Sequence, residues 1–165
     1  MPGILVTIRG KLTLVLLLAL SAISGAWFSE LVLGFVPCML CLWERWPYYI
    51  ALPIALVGLA LLRGGRARHL PQLAGMLGVI FLASMALGAY HAGVEWKWFP
   101  APDCGGRLGG AAPSLDDFRK SLNTARVVLC NEAPMRILGL SFAGWNAVAS
   151  AVIAALCFSA ARQKA

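Results

Sequence analysis

The chain has 165 residues, of which 60% are hydrophobic and only 13% charged. A soluble domain usually carries about 25% charged residues, so this balance excludes an ordinary soluble fold and points to one membrane domain. The formal net charge is +7, but its sign is spread unevenly and reports on topology; no nucleic-acid partner is expected. Five cysteines are too few and too scattered for a small disulfide-rich secreted scaffold.

Four apolar runs are read as spans. The first covers about Leu12 to Phe28, with Arg9 and Lys11 before it, and the second about Trp43 to Leu62. The third covers about Leu70 to Ala92 and the fourth about Ile137 to Ala161. At about 1.5 Å of rise per residue, each crosses a hydrocarbon core of roughly 30 Å, the first only just. No water satisfies backbone groups there, so each run must be helical. The expected fold is therefore an all-α membrane protein, a four-transmembrane-helix bundle formed by residues 1–165. The first run also resembles a signal peptide, with small residues at Ser24, Gly25 and Ala26. Its continuation through Trp27 and Phe28, past the point of cleavage, favours a span.

Charge orients the bundle. Arg9 and Lys11, then Arg63, Arg66 and Arg68, then Arg162 and Lys164 account for half of the 14 basic residues, and no acid lies among them. All 7 acids fall on the other side with the remaining basic residues. Lys and Arg concentrated in short loops mark the cytoplasmic face, so both termini are expected inside. The loops of about residues 29–42 and 93–136 are expected to face out.

The long outer loop opens with a stretch rich in Gly and Pro, from Pro100 to Pro113. Ser114 followed by Asp117 then reads as a helix start. Leu115, Phe118, Leu122, Ala125 and Leu129 recur at helical spacing. A short amphipathic helix is expected, lying on the bilayer surface or packed on the loop itself.

Four cysteines are expected on the outer face. Cys38 and Cys41 form a Cys-x-x-Cys where the second span begins; Cys104 and Cys130 lie in the long loop. A helix N-terminus lowers a thiol pKa and makes such a pair reactive. Pro37 restricts the backbone before it. Arg45, one turn after Cys41 on the same face, offers a fixed positive charge to a thiolate or to a reduced quinone; the plainer reading is an interfacial anchor or a salt bridge to Glu44. Charge so close to the apolar zone favours function. His91 ends the third span at the same level. Trp96, Trp98 and Phe99 read as an interfacial belt that is also placed to shield a quinone. Cys157, deep in the fourth span, reads as a small buried hydrophobe. A zinc site would draw on Cys104 and Cys130 as further ligands, but they are not a second Cys-x-x-Cys, and thiols on an oxidising face become disulfides; no metal is expected.

The segment PCMLCLWER (Pro37–Arg45) resembles the signature of the DsbB family of disulfide bond formation proteins. So do CNEAPMRILGLS (Cys130–Ser141) and Gly144, Trp145 and Asn146. The resemblance covers nearly the whole chain. It implies a bacterial inner-membrane thiol:quinone oxidoreductase that reoxidises a periplasmic, thioredoxin-fold DsbA-like oxidase. It implies Cys104 and Cys130 as the pair meeting that partner, and Cys130 and Cys38 as the exchanging sulfurs. Cys41 then faces a ubiquinone or menaquinone, with Arg45 and His91 at the quinone. A quinone answers an energetic need. DsbA lies at about −120 mV, and a glutathione-type pool near −180 mV would oxidise it uphill by roughly 60 mV, about 2.8 kcal/mol for two electrons. The Gly/Ala-rich stretch after Cys104 matches no familiar pattern, which leaves partner specificity open.

Other four-helix thiol-disulfide enzymes are the alternatives. Vitamin K epoxide reductase-like proteins place Cys-x-x-Cys late in the chain, and here it is early. CcdA-like transporters use cysteines inside the spans, where only Cys157 stands. A structural membrane subunit stapled by disulfides is the non-enzymatic reading; it predicts stable bonds without quinone dependence.

Overall fold

A computed structural model describes residues 7–65, 67–100 and 130–163. Cys104 and the amphipathic segment from Ser114 to Leu129 lie outside the described residues. Among the described residues, four helices are long and apolar enough to cross a membrane: α1 (Ile8–Leu31), α2 (Met39–Arg63), α3 (Leu70–Glu95) and α4 (Phe142–Ala161). Among the described residues the fold is a predominantly helical membrane protein built on these four helices. The shortest span, α4 with 20 residues, still reaches about 30 Å.

Polar side chains cap the starts of α1, α2 and α4. Thr7 caps α1, its hydroxyl accepting from the Gly10 amide at 3.1 Å. Cys38 caps α2, its sulfur accepting from the Cys41 amide at 3.2 Å. Ser141 caps α4, accepting from the Gly144 amide at 3.2 Å. Each satisfies a donor that would otherwise lie unpaired near hydrocarbon. The cap on α2 starts that helix at Met39, ahead of the apolar run that begins at Trp43. The apolar run from Ile137 is divided instead: Arg136–Ile137 and Leu140–Ser141 form a small antiparallel hairpin, and α4 starts only at Phe142. Leu138 and Gly139 have φ of 52° and 84°, the positive values of a two-residue primed turn. Trp145 Nε1 donates to the Ile137 carbonyl at 3.0 Å and ties the hairpin to α4.

The bundle core is built from modest side chains. Leu12, Val15 and Ala19 of α1 meet Tyr48, Ala51 and Ala55 of α2, Leu77 and Phe81 of α3, and Ile153, Ala154 and Cys157 of α4. Many large apolar side chains, including Leu17, Leu56, Val79 and Val152, point outward, as a lipid-facing surface requires. α3 packs most extensively on α4. At Gly88 the two backbones approach so closely that a Cβ would stand 3.0 Å from the Ala147 amide nitrogen, the small-residue contact favoured between membrane helices.

Candidate functional site

The end of the bundle that carries Cys38 is polar inside. Cys38 Sγ lies 2.8 Å from Cys41 Sγ and 3.6 Å from His91 Nε2 of α3. His91 Nδ1 donates to Glu44 Oε1 at 2.6 Å, and Asn146 Nδ2 of α4 donates to Glu44 Oε2 at 2.9 Å. Tyr48 Oη donates to Asn146 Oδ1 at 2.5 Å and lies 3.2 Å from Ser150 Oγ; Ser150 Oγ donates to Ser84 Oγ at 3.0 Å. Three helices thus contribute one connected polar chain, from the dithiol toward the middle of the bundle. Glu44, His91, Ser84 and Ser150 are all buried. Such groups persist in an apolar interior because each has its partner.

This wiring orients the chemistry. The Glu44 carboxylate fixes the proton of His91 on Nδ1 and turns Nε2 toward Cys38. The Cys41 thiol, hydrogen-bonded to Cys38, holds the Cys38 thiol well below the ordinary thiol range; His91 adds to the effect, and burial opposes it. A thiolate at Cys38 is thereby favoured, and the thiolate is the reactive form.

Beside the dithiol lies a cavity of about 550 Å³. Cys41, Glu44, Arg45, Tyr48, His91, Glu95 and Asn146 line its polar end. Leu18, Ala22 and Ala26 of α1, Phe35 and Phe142, and Trp145, Val148 and Val152 of α4 line the rest. Val148 and Val152 are themselves exposed on the lipid-facing side, so the cavity follows the groove between α1 and α4. Arg45 is not paired with Glu44. Its Nη1 donates to Glu30 Oε2 of α1 at 2.6 Å, and its guanidinium stands 6.0 Å from the Trp27 ring centre. Glu95, one turn after His91, is buried, and its Oε2 has no hydrogen-bond partner among the described residues.

Of the residues singled out from sequence, Cys38, Cys41, Arg45 and His91 converge on this end of the bundle. Cys130 is buried and disulfide-bonded. Cys38, Cys41 and Cys157 are free thiols. Cys157 is fully buried among apolar side chains at the other end of α4. Sequence reasoning missed Asn146, Tyr48, Ser150 and Glu95 as site residues, and missed Glu44 as the partner of His91. A polar residue inside an apolar run, as at Ser84 and Ser150, was the available signal.

A dithiol beside an apolar cavity within a four-helix membrane bundle is the arrangement expected of a membrane thiol-disulfide enzyme. The family model for "Disulfide bond formation protein DsbB" matches residues 9–160, and the chain belongs to that family, whose business is the oxidative formation of disulfide bonds. It is similar to Disulfide bond formation protein B 1 of Pseudomonas fluorescens strain Pf0-1, 29% identical over 157 residues, covering 90% of this chain and 86% of that one. The homologue of the same name in strain Pf-5 is 28% identical over 149 residues, 86% of this chain and 82% of that one. An uncharacterized protein of Rickettsia prowazekii, RP370, is 28% identical over 139 residues, 82% of this chain and 77% of its own. No solved structure matches the chain.

Proposed function

We propose that the protein is a protein-disulfide:quinone oxidoreductase of the bacterial inner membrane, with both termini cytoplasmic, that reoxidises a periplasmic DsbA-like thiol oxidase. One observation carries the reading: Cys41 lines an apolar cavity in the α1–α4 groove, while its partner Cys38, 2.8 Å away, caps the helix that carries it.

The cavity suits a quinone. A flat lipophilic ring needs apolar walls and donors for its two oxygens, and Phe35, Phe142 and Val148 line the cavity together with Arg45 and His91. A guanidinium has five N–H donors, and Glu30 engages only one of its nitrogens. A quinone held there supplies a sink for two electrons and two protons.

The chain's own residues do the rest. The reduced partner's thiolate attacks the Cys104–Cys130 disulfide, and its second thiol resolves the mixed disulfide. The partner leaves oxidised, with Cys104 and Cys130 reduced. Cys130 then attacks Cys38 of an oxidised Cys38–Cys41 pair and releases Cys41 as a thiolate beside the cavity. Cys104 resolves the Cys130–Cys38 bond, restoring the loop disulfide and freeing Cys38. Each exchange breaks one S–S bond and forms another, so two electrons move with no other co-reactant. His91, aligned by Glu44, takes or returns the proton at Cys38 Sγ. Arg45 holds positive charge where negative charge accumulates.

The test uses purified protein and a reduced DsbA-like partner. Oxidation of the partner should require added quinone and should be lost in Cys41→Ser. Oxidation without quinone, or a fully active Cys41→Ser, overturns the relay.

A further inference from the structure

We propose that the reduced Cys38–Cys41 pair and His91 form a binding site for Zn²⁺, and that the bound ion arrests the dithiol. The ligand atoms of the three residues all lie within 4.8 Å of one another. Tetrahedral zinc has Zn–S bonds of about 2.3 Å and Zn–N bonds of about 2.0 Å, which separates a bound sulfur and nitrogen by about 3.5 Å. Cys38 Sγ and His91 Nε2 stand 3.6 Å apart, already at that spacing. Two bound sulfurs lie about 3.8 Å apart, so the 2.8 Å between Cys38 and Cys41 must widen. Cys41 can swing toward the cavity it lines.

Two further observations point to an ion. A histidine that binds a metal almost always gives its other N–H to a carboxylate, a backbone carbonyl or a water; His91 Nδ1 gives its own to Glu44, which Asn146 fixes in turn. The second is Glu95, a buried carboxylate beside His91 that lies outside the three mutually close ligand atoms. Glu95 Oε1 is 3.9 Å from His91 Nε2, its side chain is 3% exposed, and its Oε2 has no partner among the described residues.

Binding needs no redox step. Two thiols give up two protons, and the two thiolates balance the charge of the ion. A disulfide offers no thiolate, so the site exists only in the reduced state. Zinc therefore competes with reoxidation for the same sulfur lone pairs. The binding stands apart from the relay; the arrest rests on it.

The full-length reduced protein in detergent is titrated with Co²⁺, whose thiolate charge-transfer and tetrahedral d–d absorption report the ligands, and Zn²⁺ is then added to displace it. One equivalent should bind to the reduced protein and none to protein oxidised at Cys38–Cys41. His91→Ala should weaken binding at least tenfold, and Glu95→Gln should shift the d–d bands. Zn²⁺ should shield Cys38 and Cys41 of the wild type from iodoacetamide, mapped by mass spectrometry, and chelation should reverse this. No thiolate charge-transfer band, a band that persists in Cys38→Ser, unchanged affinity in His91→Ala, or shielding confined to Cys104 and Cys130 overturns the site. Zn²⁺ should also slow quinone-dependent partner oxidation, reversibly with chelator. Binding without that slowing overturns the arrest. A relay that fails altogether leaves the Co²⁺ titration standing, so the two readings fall separately.

Discussion

Cys38 and Cys157 are both buried thiols of one chain, and they sit at opposite ends of the bundle. Cys157 belongs to the apolar core shared by all four helices. Cys38 has Cys41, His91 and, behind His91, Glu44 and Asn146. Burial alone makes a thiol inert. The reactive end differs in having charged and polar neighbours recruited from three helices, so reactivity here belongs to the neighbourhood.

The sharpest way to break that contrast is to remove one sulfur from each end. Cys41→Ser should lower quinone-dependent partner oxidation by roughly a thousandfold or more, the scale on which loss of a reacting group is felt. Cys157→Ala should leave turnover within about twofold and cost on the order of 1 kcal/mol of stability, read from the thermal unfolding midpoint in detergent. Next comes the support behind His91. Glu44→Gln keeps the shape but removes the charge and should slow turnover by about 10- to 100-fold, as loss of an orienting partner commonly does; the rate of Cys38 alkylation should fall in parallel.

Arg45→Gln should raise the apparent KM for quinone about tenfold, some 1.4 kcal/mol, with kcat little changed. An unchanged KM would return Arg45 to a structural tie between α1 and α2 through Glu30. The smallest effect concerns pH. Because the Cys38 thiol is held low, its thiolate persists as pH falls below the ordinary thiol range. The stability linked to it is full above that range and is lost as pH falls through the lowered folded value. In reduced, metal-free protein at about pH 6, iodoacetamide should still label Cys38 and should spare Cys157. Equal labelling of the two would erase the distinction between the ends.

Much of this was legible from the chain. The apolar runs showed the four helices because a membrane leaves the backbone no alternative. The Cys-x-x-Cys at Cys38 and the lone polar residues Arg45 and His91 showed which end to examine. The pairings were not legible. Within one helix, Arg45 invites pairing with its neighbour Glu44; in the folded protein Arg45 reaches Glu30, and Glu44 reaches His91 and Asn146. Those contacts span 15, 47 and 102 positions, and only helix packing decides them. The hairpin at Arg136–Ser141 was hidden for a different reason: Ile137, Leu138 and Leu140 are as apolar as a span, and only the positive φ at Leu138 and Gly139 reverses the chain.

The sulfur of Cys38 is also the N-cap of α2. In the proposed relay the first turn of that helix is therefore part of the redox couple. A thiolate accepts the Cys41 amide better than a disulfide sulfur does, so reduction tightens the helix end and oxidation loosens it. A cap is worth about 1 kcal/mol, which for a two-electron couple corresponds to about 20 mV. Its sign favours the reduced form and makes the pair a stronger oxidant. In that relay, backbone geometry at the start of α2 would tune the driving force of the exchange.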